Sequence, residues 1–178
     1  MTDSLPPFTY HPDPLATGAV EARAAVCACC GKARGFIYVG PVYGGRDLDN
    51  ALCPWCIADG SAAAKLDASF ADPSPLERAG VAEAIVQQVH LRTPGYVSWQ
   101  QESWLAHCND ACEFHGDATE SEVRTASPET KSHWLSEYDQ DEEGWAWASQ
   151  GYKPGGRSDL YKFVCRHCGL VAFGWDAC

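Results

Sequence analysis

The clearest amphipathic pattern in the chain runs through Ala79, Ala82, Ile85, Val86 and Val89, apolar positions that recur at helical spacing. It follows Ser74-Pro75-Leu76-Glu77, which reads as an N-cap serine, a proline at the first helical position and a glutamate placed for a capping box. Thr93-Pro94-Gly95 stops the element. Ser127-Pro128 predicts a second helix start that carries Trp134 and Leu135 toward a core. The acidic run from Asp139 to Glu143 reads as a solvated turn.

Elsewhere the pattern is that of short strands. Phe36-Ile37-Tyr38-Val39 is a run of β-formers closed by Gly40-Pro41, and Leu160 to Trp175 reads as strand, knuckle, strand. The alanine-rich stretch after Cys56 predicts a short helix starting near that cysteine. Prolines at 6, 7, 12 and 14 keep the start of the chain extended. These elements divide the chain into an N-terminal arm over 1–25, a first half over 26–95 and a second half over 96–178, the halves packed as one unit. The expected fold class is α+β. Tyr96, Trp99 and Trp104 are expected to pack around the second half's site.

Four close-set cysteine pairs add chemistry to this outline: Cys27/Cys30, Cys53/Cys56, Cys108/Cys112 and Cys165/Cys168. Zinc bonds thiolates at about 2.3 Å, which places neighbouring sulfurs of a tetrahedron about 3.8 Å apart, and a C-x2-C turn reaches that separation. Gly31 and Gly169, directly after the second cysteine of their pairs, let the backbone reverse. The prediction is two structural zinc ions in treble-clef-like or ribbon-like sites, one held by Cys27, Cys30, Cys53 and Cys56, the other by Cys108, Cys112, Cys165 and Cys168. Cys108 and Cys112, four apart, would share one face of a helix. His107 and His115 read as polar surface residues, with ligation open to either if that segment is not regular helix. Cys29 can replace Cys30 or stay a spare thiol. His167 is expected to face solvent, and Cys178 to be a free thiol.

Composition narrows the function. With 178 residues, 46% of them hydrophobic, the chain buries a real core, and metal supplements it. A net charge of −11 argues against a nucleic-acid surface, which needs lysine and arginine to displace counterions. Thiolate-bound zinc deepens the negative charge, so a basic protein is the expected partner. The N-terminus has neither a basic n-region nor an apolar h-region, and no apolar run reaches the ~18 residues of a membrane span. A cytoplasmic location without membrane insertion follows, where ten cysteines hold metal or do redox chemistry rather than form disulfides. Cys53-Pro54-Trp55-Cys56 has the spacing of a thioredoxin-type redox motif, but no βαβ unit surrounds it. There is no P-loop, GxGxxG, HExxH or GxSxG.

Four segments, FTYHPDPLATG, LCPWCIADGSAAAKLDASFAD, RTPGYVSWQQESWLAHCNDACEFHGD and YKFVCRHCGLVAFGWD, resemble the CbrC-like family of bacterial proteins, associated with colicin E2 tolerance. The resemblance covers nearly the whole chain. It includes the HCNDAC segment around Cys108 and the pairs Cys53/Cys56 and Cys165/Cys168. It implies a small bacterial cytoplasmic protein linked to toxin tolerance and implies no catalytic mechanism. The expected function is a non-catalytic zinc-binding interaction or regulatory module, with a zinc hydrolase or thiol oxidoreductase as the alternative.

Overall fold

The computed structural model describes residues 4–156 and 158–177. Cys178, expected as a free thiol, lies outside the described residues. In chain order the elements are β1 (Val20–Ala22), β2 (Phe36–Tyr38), α1 (Pro54–Ala58), α2 (Ser61–Leu66), α3 (Ser74–Arg78), α4 (Glu83–Arg92), β3 (Ala106–His107), β4 (Asp110–Ala111), β5 (Glu113–Asp117), α5 (Glu120–Arg124), α6 (Pro128–Glu137), α7 (Glu142–Ser149), β6 (Ser158–Val164) and β7 (Val171–Ala177). Helices and strands are mixed along the chain, and among the described residues the strands form two two-stranded antiparallel pairs and one three-stranded antiparallel sheet of order β5-β6-β7.

That three-stranded sheet organises the second half. β6 and β7 pair in unbroken register from Ser158↔Ala177 to Val164↔Val171, which sets the knuckle at Cys165–Cys168 on the connecting turn. Side chains alternate across the sheet with period two, so β6 serves two cores at once. Tyr161 and Phe163 join Tyr96, Trp104 and Phe114 on one face. Leu160, with Phe173 of β7, joins Trp134 and Trp145 of α6 and α7 on the other. A third cluster in the first half packs Tyr38, Leu52, Ile57 and Phe70 around Cys27, Cys53 and Cys56. The cluster containing Tyr161 also takes Tyr10 from the arm and Val81, Val86 and Val89 from the first half.

The helix at Ser127-Pro128 forms as its residues dictate: Ser127 Oγ accepts the Thr130 N–H at 3.1 Å, Pro128 opens the first turn and Trp134 is fully buried. The acidic run ends in a cap, since Asp141 Oδ1 accepts from the N–H groups of Glu143 and Gly144 at 3.1 and 2.9 Å and starts α7.

The helix predicted from Ser74 is corrected. It breaks into α3 and α4 at Gly80, whose φ of 71° reverses the chain. Pro73 occupies the N-cap, and the Ser74 hydroxyl donates instead to Asp72 Oδ1 at 2.7 Å. Gly95 is required by close approach: a Cβ there would stand 1.8 Å from the Phe70 carbonyl oxygen. Trp99 departs from the expected packing too. It is 61% exposed, and its backbone N–H and indole N–H donate to Asp176 and Asp159, while Tyr96 and Trp104 are buried as expected.

Candidate metal centres

The two C-x2-C-G segments fold alike. In the first, the Gly31 N–H donates to the Cys27 carbonyl at 2.8 Å and the Cys27 N–H to the Lys32 carbonyl at 3.0 Å. In the second, Gly169 donates to Cys165 at 3.0 Å and Cys165 to Leu170 at 2.9 Å. Both glycines have positive φ, 68° and 75°, which the tight reversal demands. Each turn aims two thiols to one side.

The first group is completed by a chain crossing. Backbone hydrogen bonds from Tyr38 to Leu52 at 2.9 Å and from Ala28 to Ala51 at 2.8 Å bring Cys53 beside the knuckle, and Pro54 starts α1 so that Cys56 faces the same point. The donor atoms of Cys27, Cys30, Cys53 and Cys56 all lie within 4.8 Å of one another. Cys27–Cys56 and Cys30–Cys53 are separated by 3.8 Å and Cys53–Cys56 by 3.6 Å at sulfur, close to the edge of ~3.8 Å of a four-thiolate tetrahedron. Cys27, Cys53 and Cys56 are buried. Cys30, not Cys29, joins the group; Cys29 turns its thiol to Ser61 Oγ at 3.5 Å.

The second group is His107, Cys108, Cys165 and Cys168, again within 4.8 Å of one another. His107 Nδ1 stands 3.2 Å from Cys108 Sγ and 3.4 Å from Cys168 Sγ, against an edge of about 3.6 Å for a nitrogen–sulfur pair on one tetrahedral metal. Cys112, expected in this set, is outside it. The expected helix is a hairpin: β3 and β4 pair Ala106↔Ala111 and His107↔Asp110 around the two-residue turn Cys108-Asn109. Both turn residues are left-handed, with φ of 54° and 58°, the backbone a type I′ turn requires. Four residues along a tight hairpin no longer share a face, so the Cys112 thiol goes into the aromatic core with Trp104, Phe114 and Phe163. Its carbonyl accepts the Trp104 indole N–H at 2.8 Å. The sequence carries a signal for the hairpin, though not for its donor: Cys-Asn between two short apolar–polar pairs is a hairpin tip, and asparagine tolerates a positive φ.

One carboxylate anchors this second group. Asp110 accepts from Tyr10 Oη at 2.8 Å, from His167 Nε2 at 2.8 Å and from an Arg166 guanidinium nitrogen at 3.2 Å. It ties the N-terminal arm and the knuckle to β4. His167 is exposed, as expected, yet held. His115 sits apart on β5, 3.3 Å from Glu113.

Crowded thiols cannot all ionise in the absence of a cation. The contact with the Cys53 thiol, helped by backbone N–H groups of Cys53, Cys30 and Cys29 and opposed by burial, brings Cys27 down to about 4. The same contact pushes Cys53 well up, and burial takes Cys56 to about 12. At Cys165 burial resists ionisation, but the N–H groups of Cys168 and His167 prevail and hold it at about 6. Each knuckle thus stabilises one thiolate first, and a metal ion held by these residues would displace the remaining protons. Burial, with the Cys165 and Asp110 charges adding to it, raises the excluded Cys112 to about 12.

The chain belongs to the UPF0167 family, described as an uncharacterised protein family, whose model matches residues 5–177. It is similar to a UPF0167 protein of Pseudomonas aeruginosa, 49% identical over 177 residues that cover 99% of each chain. UPF0167 proteins of Mycobacterium bovis and Mycobacterium tuberculosis are 39% identical over 173 residues, covering 93% of this chain and 90% of theirs. No solved structure matches. Among the described residues no helix is long and apolar enough to cross a membrane.

Proposed function

We propose that the protein is a cytoplasmic, non-catalytic interaction module built on two zinc ions, and that it engages a basic protein. The observation that carries this reading is the pair of four-donor groups, each assembled from chain-distant segments with donors within 4.8 Å. Seven of the eight donors are thiols and none is a carboxylate, a set that suits zinc and not magnesium or calcium. Four protein ligands at each ion make closed centres, whereas a catalytic zinc keeps a position for water. Here the ligands are Cys27, Cys30, Cys53 and Cys56 for one ion, and His107, Cys108, Cys165 and Cys168 for the other. The net charge of −11 supports a basic partner, since it steers cationic surfaces and repels nucleic acid. On the family resemblance alone, the process served is colicin tolerance.

Elemental analysis with X-ray absorption tests the metal reading: two zinc ions per chain are expected, one with four sulfur neighbours and one with three sulfurs and a nitrogen. Iron in their place, or a zinc content near zero in protein made with ample zinc, would overturn it. Pull-downs at low and high salt against a basic nuclease domain, beside a duplex DNA titration, test the partner. The exposed thiols of Cys108 and Cys168 are the observation that favours the catalytic alternative. Turnover of ester or disulfide substrates by the metal-loaded protein would establish it.

A further inference from the structure

Between α6 and the segment 168–173 lies an open cleft of about 1150 Å³, with the second metal centre at its edge. Half-buried Ala126, Leu170 and Val171 give it an apolar floor. Glu129 and Glu137 stand on its rim, and no lysine or arginine lines it. Glu122, also in the wall, is bound to Lys162 Nζ at 2.6 Å, but Glu129 and Glu137 have no ion-pair partner among the described residues. The start of α6 is no seat for an anion, because Ser127 Oγ already takes the Thr130 N–H and Pro128 has none to give.

We propose that this cleft receives a short peptide segment combining an apolar side chain with lysine or arginine, supplied by a basic partner protein. The apolar side chain covers Leu170 and Val171, and separate basic side chains of the segment meet Glu129 and Glu137, which stand about 12 Å apart along α6. The inference rests on the reading of the protein as an interaction module and gives that module its surface. Because Cys168 and His107 line the cleft, its shape depends on the second metal centre.

The test uses the full metal-loaded chain, isotopically labelled, titrated with a synthetic peptide alternating leucine with lysine and arginine. A serine–lysine peptide of equal charge and a leucine–glutamate peptide are the controls. Amide shifts confined to residues 125–137 and 168–173 are expected, with the serine–lysine peptide at least about tenfold weaker and the leucine–glutamate peptide silent. The double variant E129Q/E137Q, distant from the metal ligands in role, should weaken binding about tenfold with metal content unchanged, and A126W should block it by filling the floor. Shifts centred elsewhere, or unchanged affinity in E129Q/E137Q and A126W, would overturn the cleft while leaving a basic partner in place. No binding of the leucine–lysine–arginine peptide, alongside salt-sensitive capture of a basic protein, would do the same. Failure of that capture as well would remove the module reading itself.

Discussion

His107 and Cys168 are 61 residues apart in the chain, and their side chains meet at 3.4 Å between Nδ1 and Sγ. The contact joins the tip of one hairpin to the tip of another. It makes the second donor group a clasp between β3–β4 and β6–β7, where the first group is set into a core.

Ligand identity follows from that contact. H107A should lower bound zinc from two toward one per chain, and H107C should restore it, because a thiolate can take the vacant vertex. C112A should leave both ions bound and cost about 1 kcal/mol, the effect of a small buried cavity. Native mass spectrometry of the three variants reads both outcomes. Zinc loss in C112A with full retention in H107A would reverse the assignment.

Release of the two ions should be ordered. Cys27, Cys53 and Cys56 are buried, whereas Cys108 and Cys168 are exposed. A chelator should therefore remove the second ion first, and a thiol alkylating reagent should then modify Cys108 and Cys168 well before Cys53. A zinc-sensitive dye, followed by mass mapping of the modified cysteines, shows the order.

Acid should destabilise the fold through His11. Its ring is fully buried, with Nδ1 donating to the Pro94 carbonyl at 2.7 Å and Nε2 against Thr17 Oγ1 at 2.6 Å. Burial brings it down from 6.5 to about 4. The unfolded chain thus takes the proton first, so this stability is complete above about pH 6.5 and is lost as the pH falls toward about 4, by up to ~3 kcal/mol. Chemical denaturation at pH 7.5 and 5.0, with zinc retention monitored, should show the loss in the parent chain. H11Q should be less stable at pH 7.5 and flatter between the two.

Asp110 should matter more than its exposed partners. D110N keeps the size of the side chain and an oxygen for Tyr10, but loses the charge and the Oδ2 acceptor that Arg166 and His167 face and turns an NH2 group toward them. A cost of about 1–3 kcal/mol is expected, or several degrees in melting temperature. Y10F, which removes one donor, should cost about 1 kcal/mol. Equal effects from Y10F and D110N in thermal melts would show that the charge contributes nothing.

Local chemistry was legible along the chain because it is decided within a few residues. The C-x2-C-G knuckles, the Ser127-Pro128 helix start and the β6–β7 hairpin each follow from side-chain and backbone preferences that need no distant partner. Cys27, Cys30, Cys53 and Cys56 were readable together for that reason, with only the choice between Cys29 and Cys30 left to the structure. Spacing also misled. Cys108 and Cys112 satisfy a helical rule, and Ser74-Pro75-Leu76-Glu77 a capping rule, but the hairpin turn at Asn109 and the reversal at Gly80 override both. Only the tertiary structure decided that the fourth donor of the second group is an imidazole, because His107 reaches it across 61 residues once β6 and β7 have paired. The cleft beside α6 belongs to the same class of fact: its floor and rim come from separate elements, and a surface made by packing is written in no single stretch of sequence.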